Sequence, residues 1–192
     1  FASWVAYEVD ITNFGVSPGR EWKTDPIIHP DRTLEEEDYK GVASSSLQAD
    51  RGHQAPLATF AGSKYWYELN YLSNITPQDR DLNQGPWRAL EDAERAAVKF
   101  RENLYVITGP LYLKETDKMP HADEPHVVPS AYFKVIYKKD GSAEFFIMEQ
   151  SVKRDEDYCS KVVSLETLKT HLNFSLPLLK QSRDINKQLG CI

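Results

Sequence analysis

The sequence predicts an α+β fold in which an antiparallel β-sheet core is flanked by helices. Three observations carry that expectation. Short runs rich in β-branched and aromatic residues recur along the chain, and two of them, 131–137 and 144–148, are joined through Lys139-Asp140-Gly141, a hairpin signal. Helical periodicity is strongest in a single stretch that begins at Pro86. A length of 192 residues suits one domain spanning 1–192 with a sizeable core.

Taken in order, residues 3–9 (Ser-Trp-Val-Ala-Tyr-Glu-Val) read as a strand. Pro18-Gly19, Pro26 and Pro30 then mark irregular surface, and the run Glu35-Glu36-Glu37-Asp38 reads as a solvated face. Residues 65–69 suit a short helix and 71–73 a short strand. Pro86 is a good first-turn residue, because its missing N–H has no partner to lose there. The helix it opens is expected to reach about Arg101, with Ala89, Leu90, Ala93, Ala96, Ala97 and Phe100 on a core face and Arg88, Glu91 and Arg95 on a polar one. Residues 104–108 form a strand closed by Gly109-Pro110, and 114–126 a loop. Val162-Val163 suits one more strand, Ser164 caps a helix through about Leu172, and a last helix covers 178–188.

Hydrophobic residues at 41% and charged residues at 27% are those of a globular protein. No apolar run approaches the roughly 18 residues of a membrane span, so an integral membrane protein is not expected. No leader pattern is visible at Phe1, although a mature form would show none. A net charge of −6, from 23 basic and 29 acidic side chains, argues against a general nucleic-acid coat. It leaves room for a nucleic-acid enzyme, since clustered arginines and a bound cation invert the field at one site. Cys159 and Cys191 are too few for a zinc ribbon, and as residues they suit either one disulfide or two separate buried thiols.

The chemistry concentrates between Ala49 and Arg95. Asp50-Arg51-Gly52-His53 is followed by Gln54-Ala55-Pro56, by Tyr71-Leu72-Ser73-Asn74-Ile75-Thr76-Pro77-Gln78, and by Leu82-Asn83-Gln84-Gly85-Pro86-Trp87-Arg88-Ala89-Leu90-Glu91. A histidine can take a proton from water, an amide and a carboxylate can hold or orient a metal's shell, and arginines can grip phosphate. Singly, each has a plainer meaning: a hydrogen-bonded surface histidine, or a helix ion pair between Glu91 and Arg95 at i, i+4. Residues 79–85 also imitate the opening of a calcium loop, but position 6 is Gln84 where glycine is needed and position 12 is Leu90 where a bidentate glutamate is needed. A calcium-binding module is therefore the weaker reading, as is a catalytically silent nucleic-acid-binding relative.

In their order and spacing these blocks resemble the DNA/RNA non-specific endonucleases of the ββα-metal (His–metal finger) class, and within it the secreted Serratia-type nucleases. The likeness extends to Trp22–Pro26, Thr108-Gly109-Pro110-Leu111-Tyr112 and Gly190-Cys191. It implies a ββα-metal unit on the sheet. It also implies His53 as general base, Asn83 as the direct ligand of Mg2+ (with Mn2+ as a substitute), and Glu91 as the carboxylate orienting metal-bound water. Arg20 and Arg95 match phosphate-binding arginines, Arg51 flanks the base, and Asn74 supports the site. DNA and RNA are the implied substrates, cleaved to 5′-phosphate ends. A Cys159–Cys191 disulfide, a secreted or periplasmic location and a homodimer follow from the same resemblance.

Overall fold

The computed structural model describes residues 1–16, 18–44, 47–99, 102–124 and 126–191. Its centre is a five-stranded sheet in the order β1-β4-β5-β6-β7. The strands are β1 (Val5–Val9), β4 (Leu104–Leu111), β5 (Ala131–Tyr137), β6 (Ser142–Glu149) and β7 (Lys180–Gln181). The first four pair antiparallel; β7 joins β6 in parallel. Alternation along β5 splits the core into two layers. Tyr132 and Ile136 pack with Trp87, Leu90, Val106 and Phe146 on one face. Phe133 and Val135 pack with Ile107, Phe145 and Leu168 on the other.

A second, two-stranded sheet joins β2 (Ala49–His53) to β3 (Ile75–Asp79), with Arg51 opposite Pro77 and His53 opposite Ile75. Helix α1 (Arg80–Gln84) follows directly, and α2 (Pro86–Ala97) follows α1. Two side chains moor this unit to the main sheet. Tyr132 donates its hydroxyl to the Pro77 carbonyl at 2.8 Å. The amide of Gln150, just past β6, donates to the same carbonyl at 2.8 Å and accepts from the Asp79 N–H at 2.7 Å. A separate cluster of Leu34, Tyr39, Val42, Leu72 and Ile75 fills the space beneath the hairpin.

Several expectations move. Residues 71–73 are not a strand: Leu72–Asn74 make a 3-10 turn and the strand begins at Ile75. The proline at its centre hid it, since Pro77 removes a ladder donor that this two-stranded pairing does without. Strand β4 runs on through Gly109-Pro110 to Leu111. Helix α2 ends at Ala97, and Phe100 and Arg101 lie outside the described residues. Its buried face is Trp87, Leu90 and Glu94, while Ala89 and Ala96 are exposed. The acidic run is only partly solvated: Asp38 is buried and accepts from the Glu35 N–H, because Leu34 and Tyr39 pull the turn into the core. At the C-terminus, α3 (Leu165–Lys169) and α4 (Arg183–Gln188) are shorter than expected, with β7 occupying the start of the predicted last helix.

Candidate active site

The hairpin and the two helices wall a cleft of about 670 Å³. His53, Arg51, Asn83, Glu91, Arg20 and Arg95 all line it. Residues that the sequence spreads over 76 positions thus meet at one opening. Close packing of backbone makes this possible. A Cβ on Gly52 would lie 2.5 Å from Oε1 and 2.7 Å from Cβ of Gln78 across the hairpin. A Cβ on Gly85, between the two helices, would lie 2.4 Å from the carbonyls of Asp81 and Arg154. Asp79 starts α1 by accepting from the N–H groups of Asp81 and Leu82, so the calcium-loop likeness ends in a capped helix.

His53 ends β2 with its ring 5.3 Å from that of Trp22. Its Nε2 is 3.1 Å from Oδ1 of Asn70, whose own Nδ2 donates to the Gly19 carbonyl. That amide orientation makes Nε2 the protonated nitrogen and leaves the Nδ1 lone pair as the basic one. Burial lowers the imidazole pKa to about 4, the Asn70 hydrogen bond opposing the shift and the Arg20 charge adding to it. The ring is therefore neutral across the physiological range.

Asn83 is held from one side. Its Nδ2 donates to Oδ2 of Asp50 at 2.9 Å, and a carboxylate can only accept, so Oδ1 is the other end of the amide, with no hydrogen bond among the described residues. Gln84 donates to the same Asp50 oxygen at 2.6 Å. Glu91, on α2, has a side chain 14% exposed, with Oε1 3.7 Å from Nζ of the fully buried Lys134. Burial raises its pKa to about 7, against the opposing pull of Lys134. Arg51 sits between the rings of Tyr39 and Trp22, at 5.3 and 5.5 Å. Arg95 pairs with Asp92 and donates to the Thr59 hydroxyl at 3.3 Å; its partner is not Glu91.

The family's sequence model, described as DNA/RNA non-specific endonuclease, matches residues 1–181. The chain belongs to the DNA/RNA non-specific endonuclease family. It is 43% identical over 174 residues to a nuclease of Serratia marcescens, covering 88% of this chain and 65% of that relative. To mitochondrial endonuclease G of Homo sapiens it is 34% identical over 125 residues, covering 60% of this chain and 40% of the other. The chain thus spans two thirds or less of the length of both relatives. A solved structure described as the EndoG/EndoGI complex superposes with a TM-score of 0.73 at 25% identity, covering 93% of this chain and 81% of that one.

Within this family member, Asn74 stands apart from the other predicted residues, because it does not line the cleft. Its amide accepts from the Ala55 N–H and donates to the carbonyls of Ala55 and Leu69, bracing the loop that follows His53. Asn70, Asp50, Trp22 and Lys134 were not singled out from the sequence. Asp50 had a signal, since it opens the Asp-Arg-Gly-His block, and Lys134 stood out as a lone charge in an apolar strand. Trp22 opens the Trp22–Pro26 block and Asn70 directly precedes the Tyr71 block, but the partners of both are fixed only by how the loops fold. A separate group, Glu35, Asp38, Asp123 and Glu124, brings carboxylate oxygens within 4.8 Å of one another, but none of the four lines the cleft.

Proposed function

We propose that the chain is a metal-dependent, sequence-indifferent endonuclease that hydrolyses phosphodiester bonds of DNA and RNA to 5′-phosphate and 3′-hydroxyl ends. The observation that carries this reading is the convergence on one cleft of a neutral, oriented imidazole, a fixed amide oxygen and four arginines. Nδ1 of His53 takes a proton from the water whose oxygen attacks phosphorus, the bond to the 3′-oxygen breaks, and that oxygen takes a proton from a second water. Arg20 and Arg95 bind the phosphate oxygens, contacts that carry no sequence information, while Arg51 flanks His53.

The donor set fits Mg2+: the Asn83 amide oxygen as direct ligand and the Glu91 carboxylate through water leave most of the shell hydrated, as that ion prefers. Mn2+ takes the same oxygen and water donors. When bound, the ion would stabilise negative charge on the phosphoryl and leaving oxygens. The Cys159–Cys191 disulfide supports a secreted or periplasmic location, since such bonds persist in oxidising compartments.

Incubating plasmid DNA, single-stranded DNA and RNA with the protein, with and without chelator, tests the reading. Cleavage of all three that chelator abolishes, with products that polynucleotide kinase labels only after phosphatase treatment, is expected. Full activity in excess chelator, or 3′-phosphate ends, would refute it.

A further inference from the structure

The side chain of Lys134 is 0% exposed at the middle of β5, on the face that α2 covers. Tyr132 and Ile136, two residues away on either side, are core residues. Lysine is almost never so buried without a partner, and an uncompensated ammonium there is strongly destabilising. Its Nζ lies 4.4 Å from the centre of the Trp87 ring, 2.8 Å from Oε1 of Glu94 and 3.7 Å from Oε1 of Glu91. Glu94 is itself fully buried, and Tyr7 of β1 donates to its other oxygen at 3.1 Å.

One carboxylate would suffice to neutralise one ammonium, yet two converge on it. They differ in where they lead. Glu94 faces only the interior, whereas Glu91, one turn earlier on α2, lines the cleft. The lysine thus has a rigid mount on one side (Glu94, Tyr7 and the Trp87 face) and a cleft residue on the other. A charge held from beneath by a group that cannot move fixes the carboxylate's orientation more tightly than solvent would.

We propose that Lys134 is a positioning residue for the endonuclease reaction, its ammonium anchoring Oε1 of Glu91 from beneath α2 so that Oε2 is presented to the hydrated shell of a divalent cation. The proposal rests on the reading of Glu91 given above. The competing account is that Lys134 does no more than balance the buried charge of Glu94.

The double variant Lys134→Met/Glu94→Gln separates the two, because it removes both members of the deep pair and leaves no orphaned charge between them. Cooperative thermal unfolding checks its fold, and free Mn2+ measured by electron paramagnetic resonance reads metal binding without turnover. The double variant is expected to fold and to bind Mn2+ about 10–100-fold more weakly than the wild type, the range seen when outer-shell partners are lost. Added to Glu91→Gln, the same pair of substitutions is expected to weaken binding by less than about twofold, as for residues acting through one another. Wild-type Mn2+ affinity in the folded double variant, or full additivity with Glu91→Gln, would overturn the proposal. A double variant that fails to fold would also overturn it, assigning Lys134 to the stability of the sheet–helix contact. If Glu91→Gln alone leaves Mn2+ affinity unchanged, the role of Glu91 falls first and that of Lys134 with it.

Discussion

At His53, the burial that holds the ring also sets its titration. From the unperturbed imidazole value near 6.5, activity is expected to fall just below neutrality; the folded site moves that point to about 4. With saturating magnesium, the loss of kcat/KM caused by His53 should therefore appear near pH 4, and a limb near 6.5 that disappears in no metal titration would contradict this. The same shift bears on stability. Between about 6.5 and 4 the unfolded chain has taken up this proton and the folded chain has not, so the contribution of His53 to stability is lost as pH falls through that window. His53→Ala should cost ~10²–10⁴-fold in kcat while the protein still folds and binds DNA. Glu91 behaves differently. With its pKa raised to about 7 in the metal-free protein, it binds a proton in competition with the cation, so Mn2+ affinity should rise with pH through 7. Affinity that stays flat from about pH 6 to 8 would count against Glu91 as a participant in metal binding.

The hairpin and α1–α2 form the element that the chemistry depends on, and its tolerance to change is set by close approach. Gly52→Ala puts a methyl against the Gln78 side chain, at 2.5–2.7 Å from its nearest atoms. It should destabilise the protein by about 1–3 kcal/mol through overpacking, read as a lower midpoint in urea; an unchanged midpoint would show that the hairpin relaxes freely. Asn83→Ala removes the amide oxygen proposed as the direct metal ligand and should abolish most Mn2+ binding at a concentration that saturates the wild type. At this scale the sequence was only partly legible. The pattern of α2 was visible, but its rotation was not, because counting alanines missed that Trp87 outweighs them and that Glu94 finds buried partners. Strand β3 was hidden by Pro77, although Arg51 opposite it lies in the Asp50-Arg51-Gly52-His53 block.

Across the molecule, the Cys159–Cys191 bond ties the turn Tyr158–Lys161 to the segment after α4, its ends 32 positions apart in the sequence. Constraining a loop of that length in the unfolded chain contributes roughly 3–4 kcal/mol in the chain-entropy account. Neither cysteine lines the cleft. Reduction should therefore lower the melting temperature clearly while leaving turnover at 25 °C within about twofold, since the links between hairpin and main sheet run through Tyr132 and Gln150. A parallel loss of both would mean that the C-terminal segment supports the cleft directly.

The sequence by itself determined the α+β class, the family and six residues that line the cleft, because motif blocks fix residue types at positions along the chain. His53, Asn83 and Glu91 needed no coordinates to be named. Only the tertiary structure decided what stands behind them: Asn70 choosing the tautomer of His53, Asp50 turning the Asn83 amide, and Lys134 reaching Glu91 from the sheet. It also decided that Asn74 stands outside the cleft, bracing the loop after His53, and that Arg95 pairs with Asp92. The physical reason is common to all of these. A side chain's protonation and orientation are set by burial and by partners, from Asp92 only 3 residues before Arg95 to Lys134 43 residues after Glu91, and which of them meet is decided only once the sheet and helices have packed.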